Sequence, residues 1–144
     1  AYGGGGMYNF YAMGTADNPR TPVVFVHEFG HSFAGLADEY FSSEVAYQDF
    51  YNLKYEPWEP NITTLVNFDA KWKDLLPANT PVPTPLDDAH KDKAGVFEGG
   101  GYIAKGIYRP MDHCMMRDYA PFCPACSRAI LQMIDYFTDK PIKH

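Results

Sequence analysis

The chain has 144 residues, 46% of them hydrophobic, and its 12 basic and 18 acidic side chains give a formal net charge of −6 at pH 7. A chain of this length can bury one hydrophobic core, so a single domain over residues 1–144 is expected. The basic side chains form no cluster, which argues against nucleic acid as a partner, because phosphate binding depends on grouped Lys and Arg. No apolar run is long enough to span a bilayer, so no membrane span is expected.

Four consecutive glycines occupy residues 3–6. They lack the Gly-Lys-Ser/Thr continuation of a phosphate-binding loop, so nucleotide binding is not expected. The aromatic-rich residues 7–13 that follow are predicted to form a strand. This strand is either an exposed sheet edge that pairs with an extended substrate or an ordinary strand paired with others.

A helix is predicted to begin near Thr21 and Pro22 and to run through the HEFGH sequence of residues 27–31. Thr is common at a helix cap, and Pro is favoured in the first turn. Apolar residues lie on nearly every face of this segment, which predicts a buried helix. They are Val23, Val24, Phe25, Val26, Phe29 and Phe33.

His27 and His31 are four residues apart, so in a helix they lie on one face, about one turn from each other. Two imidazoles in that arrangement can bind one zinc ion. The carboxylate of Glu28 can then reach a water on the metal and act as the general base of peptide hydrolysis. The alternative is a pair of hydrogen-bonded core histidines, which leaves Glu28 unexplained.

A third metal ligand is expected from Asp38 or Glu39. Gly35 can end the helix in a left-handed conformation and let the chain turn back. In the metzincin pattern H-E-x-x-H-x-x-G-x-x-H (or D), the glycine precedes the last ligand by three residues, as Gly35 precedes Asp38. Because of this spacing Asp38 is favoured. Gly35 lies four residues after His31 rather than three, which turns the helix face by about 100°, so Glu39, longer by one methylene, remains an alternative.

Residues 41–98 are predicted to contain long ordered loops, because six prolines interrupt this region. A short helical turn is expected over residues 69–76. Residues 99–110 have the pattern of a glycine-opened strand or hairpin. Apolar residues then recur at helical spacing up to residue 137, which predicts a C-terminal amphipathic helix that ends near Thr138.

Three cysteines, Cys114, Cys123 and Cys126, allow one internal bridge at most. A disulfide of Cys114 with either of the other two would close a short loop and would suit an oxidising compartment. A structural zinc site that also uses His113 is less favoured, because adjacent residues 113 and 114 would have to bend towards one ion.

Four segments of the chain, residues 3–6, 27–40, 114–117 and 122–126, together resemble the metzincin-like zinc metallopeptidases, and more closely the bacterial immunoglobulin A peptidase family. The resemblance implies an α+β catalytic domain with a buried active-site helix, an edge strand, long loops and a C-terminal helix. It also implies Zn²⁺ as the cofactor, a protein or peptide substrate, and an extracellular, cell-surface or periplasmic location in a bacterium.

The resemblance implies that His27 and His31 are zinc ligands and that Glu28 is the general base. It further implies a methionine turn beneath the metal, formed by Met115 or Met116, where a polarisable apolar side chain would line the floor of the site. No oxyanion partner follows from the sequence, although Tyr119 and His113 are candidates for that role.

Proteases of this kind usually have a sheet-and-helix subdomain before the metal-binding helix, whereas 26 residues precede His27 here. The chain is therefore expected to be the C-terminal part of a longer polypeptide, whose N-terminal portion is a candidate partner. The alternative to an enzyme is a metal-stabilised module that binds peptide or glycan without cleaving it.

Overall fold

The computed structural model describes residues 3–41 and 50–139, and it has the α+β class expected from the sequence. Two short antiparallel hairpins and three helices make up its regular structure. None of the helices in these ranges is long and apolar enough to cross a membrane. The loops expected between residues 41 and 98 are present where the structure describes them, whereas residues 42–49 lie outside the described part.

The N-terminal hairpin joins β1 (Gly4–Met7) to β2 (Tyr11–Gly14). The single strand predicted over residues 7–13 was wrong, because Asn9, at a φ of 55°, turns the chain and the glycines form the first strand. Glycine is needed there because β1 lies directly against the next helix. A Cβ on Gly6 would lie 2.3 Å from the carbonyl oxygen of Glu28.

The first helix, α1 (Thr21–Ala34), carries the HEFGH sequence. Pro22 lies in its first turn, and Gly35 ends it in the left-handed region at a φ of 63°, both as predicted. The predicted cap was wrong. Arg20 holds the cap position without a side-chain hydrogen bond, and the Thr21 hydroxyl instead donates to the carbonyl of Thr15.

The prediction that α1 is buried on nearly every side was also wrong. Phe25 and Phe29 are 48% and 43% exposed, and Val26 is 38% exposed. The β1–β2 hairpin, α2 and α3 all pack against α1. The exposed rings of Phe25 and Phe29 stack on each other, with 6.5 Å between their centroids. The buried face consists of Val24, His27, Glu28, Gly30 and Ala34.

The second hairpin joins β3 (Phe97–Gly100) to β4 (Ile103–Arg109). Of the strand or hairpin predicted over residues 99–110, the hairpin is confirmed, although it begins two residues before the glycines. Two short 3₁₀ turns, Phe68–Ala70 and Lys73–Leu75, lie where a helical turn was expected. The buried Trp72 lies between them, and its indole N–H donates to the carbonyl of Gly95 at 2.7 Å.

Two further helices, α2 (Met115–Asp118) and α3 (Pro124–Phe137), complete the fold, and α3 ends one residue before the predicted Thr138. The main core lies between the end of α1, α2 and the start of α3. Its buried members are Ala34, Leu36, Trp72, Cys114, Met116, Cys123, Ala125, Cys126 and Ala129. Helix α1 is therefore held between the N-terminal hairpin on one side and this core on the other, with its two histidines at the boundary.

Candidate active site

The two imidazoles of α1 face each other, with 3.2 Å between the Nε2 atoms of His27 and His31. The Nδ1 atom of His27 lies 2.8 Å from the carbonyl oxygen of Met115, and that of His31 is hydrogen-bonded to the carbonyl of Leu36. A carbonyl can only accept, so each Nδ1 carries the hydrogen and donates it. The lone pair of each neutral imidazole is therefore on Nε2 and points to the space between the rings.

Asp38 supplies a third electron-rich atom to that space. Its Oδ1 lies 3.0 Å from Nε2 of His27 and 3.3 Å from Nε2 of His31. This oxygen is buried and accepts no hydrogen bond within the described residues. Three mutually facing acceptors repel one another, and one shared cation would remove that repulsion.

The dimensions of this triangle suit a metal ion. Its edges measure 3.0–3.3 Å. A tetrahedral zinc shell with ligand bonds of about 2.0–2.1 Å has edges of about 3.3 Å. The donor set of two imidazole nitrogens and one carboxylate oxygen is also one that zinc accepts. His27, His31 and Asp38 therefore fit a bound divalent metal.

The electrostatics of the three groups favour positive charge at this position. Burial raises the pKa of Asp38, but the facing His27 and His31 and the hydroxyl of Tyr102 outweigh it and hold the pKa below its ordinary value. Burial lowers the pKa of His31, yet its contacts with Asp38 and Leu36 raise it overall. The carboxylate is therefore ionised and attracts a cation.

Glu28 lies beside the triangle, with its Oε2 4.0 Å from Nε2 of His31. Its side chain is buried between α1 and β1, so that a Cβ on Gly4 would lie 2.5 Å from Oε1. Burial raises the pKa of Glu28 above its ordinary value, although His27 and His31 oppose the shift. A carboxylate with a raised pKa is suited to accept a proton in catalysis.

Glu39, the alternative ligand, does not join the imidazoles. Its Oε1 lies 3.2 Å from Sγ of Cys126 and accepts a hydrogen bond from the Asn61 amide at 2.9 Å. Complete burial raises its pKa well above the ordinary value. Of the two acids considered from the sequence, the structure brings Asp38 to the histidines and Glu39 to the cysteines.

The two methionines have different places beneath the site. Met116 is fully buried, and its Sδ would lie 2.8 Å from a Cβ on Gly30, which lies between the histidines on α1. Met115 is partly buried, and its backbone carbonyl binds His27. Met116 thus packs under the helix through its side chain, whereas Met115 orients a histidine through its backbone.

A cleft of about 480 Å³ opens over these groups. Residues 4–8 line one side, and Trp58 and Tyr102 line others. Trp58 is 64% exposed, and its ring centroid lies 5.3 Å from that of Tyr8. One site residue was missed from the sequence. Tyr102, 64 residues from Asp38 along the chain, donates a hydrogen bond to Oδ2 of Asp38. No local signal in the sequence could have paired them.

The oxyanion candidates lie in different surroundings. The ring centroid of Tyr119 is 5.5 Å from that of His27, so its side chain is next to the triangle. The side chain of His113 is 55% exposed and pairs with Asp118. The His113 side chain is therefore turned to the surface.

The cysteines form no disulfide. The Sγ atoms of Cys114 and Cys126 are 3.7 Å apart, which is a contact distance and not a bond. The bridge favoured from the sequence is therefore not formed. The cysteines are buried next to Glu39, in the core behind α1.

The site consists of two helical imidazoles and a carboxylate around one point, with a buried glutamate beside them under a cleft. This small α+β protein therefore carries a candidate hydrolytic metal centre. The model of the IgA peptidase M64 family matches residues 1–94 and 86–134, and the chain belongs to this peptidase family. The family resemblance inferred from the motifs is thereby confirmed, while the finer relation to metzincins stays a prediction. No match was found among curated proteins.

Proposed function

We propose that this chain is the catalytic part of a zinc-dependent endopeptidase, in which His27, His31 and Asp38 hold the metal and Glu28 is the general base. One observation carries the proposal. The buried Oδ1 of Asp38 has no hydrogen-bond donor among the described residues and lies within 3.3 Å of two imidazole lone pairs. Membership of a peptidase family supports protein or peptide as the substrate.

A zinc ion held by His27, His31 and Asp38 would supply Lewis acidity, which polarises a scissile carbonyl and lowers the pKa of an attacking water. Glu28 accepts the proton of that water and delivers it to the leaving amine. Its burial against β1 favours this exchange, because a raised pKa brings the carboxyl closer to the working pH. The backbone carbonyls of Met115 and Leu36 keep His27 and His31 in the tautomer that coordinates through Nε2.

The substrate is proposed to bind as an extended chain along β1. Among the described residues β1 pairs with β2 alone, and residues 4–7 line the cleft. The free edge of a strand offers backbone groups to an added peptide. Gly4 and Gly6 have no room for side chains because they lie against α1, so β1 runs directly beside Glu28 and His31. An extracellular, surface or periplasmic location and a requirement for a further N-terminal portion remain predictions.

The test uses purified protein with its metal content measured, incubated with denatured protein substrates. The expected result is cleavage that a chelator abolishes and added zinc restores. Glu28→Gln is expected to keep the metal and to lose about 10²–10⁴-fold in kcat. Glu98→Gln removes the same charge from a surface pair with Lys105 and is expected to retain full activity.

Two results would contradict the proposal. Undiminished turnover by Glu28→Gln would remove Glu28 from the mechanism. Metal-dependent binding of peptide or glycan without any cleavage would favour the non-catalytic binding module instead. The chelator arm distinguishes this second case, because there the metal would affect affinity alone.

A further inference from the structure

A second cluster of potential metal ligands lies next to the candidate active site and takes no part in it. It consists of Glu39, Cys114, Cys123 and Cys126, and one ligand atom from each lies within 4.8 Å of the others. None of the four residues is more than 2% exposed. They come from three parts of the chain: the segment after α1, the start of α2 and the start of α3.

The distances in this cluster suit four ligands around one ion. Sγ of Cys114 and Sγ of Cys126 are 3.7 Å apart, and Oε1 of Glu39 lies 3.2 Å and 3.9 Å from the Sγ atoms of Cys126 and Cys123. A tetrahedral zinc shell with Zn–S bonds of about 2.3 Å and a Zn–O bond of about 2.1 Å has edges of about 3.6–3.8 Å. A disulfide would need sulfur atoms about 2.05 Å apart.

The unsatisfied carboxyl group of Glu39 is an independent indication that a cation binds in this cluster. Its side chain is 0% exposed, and its Oε2 has no hydrogen-bond partner within the described residues. The neighbouring Asn61 amide donates to Oε1 and leaves Oε2 unsatisfied. A carboxyl oxygen without a partner in an apolar core is costly unless a cation binds the group.

Backbone donors also point at the sulfur atoms. The N–H of Cys126 donates to Sγ of Cys123 at 3.5 Å, and the N–H of Cys123 donates to Sγ of Cys114 at 3.4 Å. Cys123 and Cys126 have the Cys-x-x-Cys spacing found in structural zinc sites, at the start of α3. Such donors favour the thiolate form that a metal requires.

We propose that Glu39, Cys114, Cys123 and Cys126 form a second, structural metal site that binds one Zn²⁺ ion. Thiolate-rich, four-ligand sites of this kind favour zinc, and four protein ligands leave no position for water or substrate.

This ion would brace the candidate active site. Glu39 directly follows Asp38, and Cys114 directly precedes Met115, whose carbonyl binds His27. The N–H of Glu39 donates to the carbonyl of Met116 at 2.7 Å, so these two segments already touch. A metal between the two segments would fix the backbone next to Asp38, a candidate ligand. It would also fix the backbone of Met115, whose carbonyl orients His27.

The test is the metal content of the whole chain, measured by elemental analysis and native mass spectrometry. The expected result is two zinc ions per wild-type chain and one in the double variant His27→Ala/His31→Ala. After cobalt replaces zinc, a thiolate-to-cobalt charge-transfer band is expected in both proteins. Cys126→Ser is expected to lose this band, whereas Ala129→Ser, which places a hydroxyl in the same core, keeps it.

One metal per wild-type chain with no thiolate-to-cobalt band would overturn the proposal. A mass lower by two hydrogens, with a single titratable thiol after unfolding, would also overturn it, because the cysteines would then form a disulfide. Both measurements use only the wild-type chain. The test therefore remains decisive even if the Cys126→Ser variant fails to fold. A metal retained with its thiolate band would support this site even if no peptidase activity were found.

Discussion

Asp38 and Glu39 are consecutive residues, yet their buried carboxyl groups belong to two different clusters, one of imidazoles and one of thiols. Alternating backbone hydrogen bonds fix this division. The N–H of Gly101 donates to the carbonyl of Asp38 at 2.8 Å, while the N–H of Glu39 donates to Met116 on the other side. These contacts place Asp38 beside the β3–β4 turn and Glu39 beside α2, and they decide which acid faces the histidines.

Tyr102→Phe is expected to weaken metal binding at the candidate active site about 10–100-fold, as the loss of a hydrogen bond to a metal ligand typically does. The Tyr102 hydroxyl donates to Oδ2 of Asp38, and burial together with Asp38 raises its pKa, so it stays protonated as a donor. Zinc affinity measured by competition with a chromophoric chelator tests this. Tyr108→Phe on β4 is the control, and equal affinities for both variants would show that the hydrogen bond does not position Asp38.

Met116→Ala is expected to lower the free energy of unfolding by about 2–5 kcal/mol, because it leaves a cavity in a fully buried position under α1. Met115→Ala is expected to cost less, since the contact of Met115 with His27 is made by its backbone carbonyl. Urea unfolding of the two variants provides the comparison. A larger loss for Met115→Ala would reverse the assignment of the two methionines.

Gly6→Ala is expected to displace β1 from α1. The added Cβ would lie 2.3 Å from the carbonyl oxygen of Glu28 and 2.8 Å from Cβ of His31, and backbone cannot yield as a side chain can. Overpacking of this kind typically costs about 1–3 kcal/mol. Gly5→Ala is the matched control, because its Cβ would meet only the flexible Met13 side chain, at 3.3 Å. Thermal unfolding and activity measured on both variants test the close approach.

Asp74 and Arg128 give a prediction on pH. Two hydrogen bonds of 2.7 Å from Arg128 hold the pKa of Asp74 below its ordinary 3.8. The pair therefore stabilises the fold above pH 3.8, and its contribution is lost as the pH falls through the lowered pKa. The Asp74 side chain is 66% exposed, so solvent limits the effect to less than about 1 kcal/mol.

Urea unfolding of wild type and Asp74→Asn over a range of acidic pH measures this contribution. The difference in unfolding free energy is expected to be constant above about pH 5 and to shrink below it. Asp69→Asn is the control. It removes the same charge from an exposed pair with Lys73, and that pair does not join a turn to α3. A difference that grows on acidification would contradict the lowered pKa.

Features that depend on short stretches of chain could be predicted from the sequence alone. The spacing of four between His27 and His31, a proline in the first turn and Gly35 at the end are enough to specify a helix with both rings on one face. The hairpin around residues 97–109 and helix α3 follow from their own turns and periodicity. These properties are local, because backbone geometry repeats within a few residues.

Only the tertiary structure decided which groups meet across the chain. It placed Asp38 rather than Glu39 at the imidazoles, joined Tyr102 to Asp38, and left Phe25 and Phe29 partly exposed although their pattern suggested burial. The physical reason is that a side chain's partners depend on how distant segments pack. A pattern of residue types indicates that a polar group needs a partner. The packing of α1 against β1, α2 and α3 determines which partner that is.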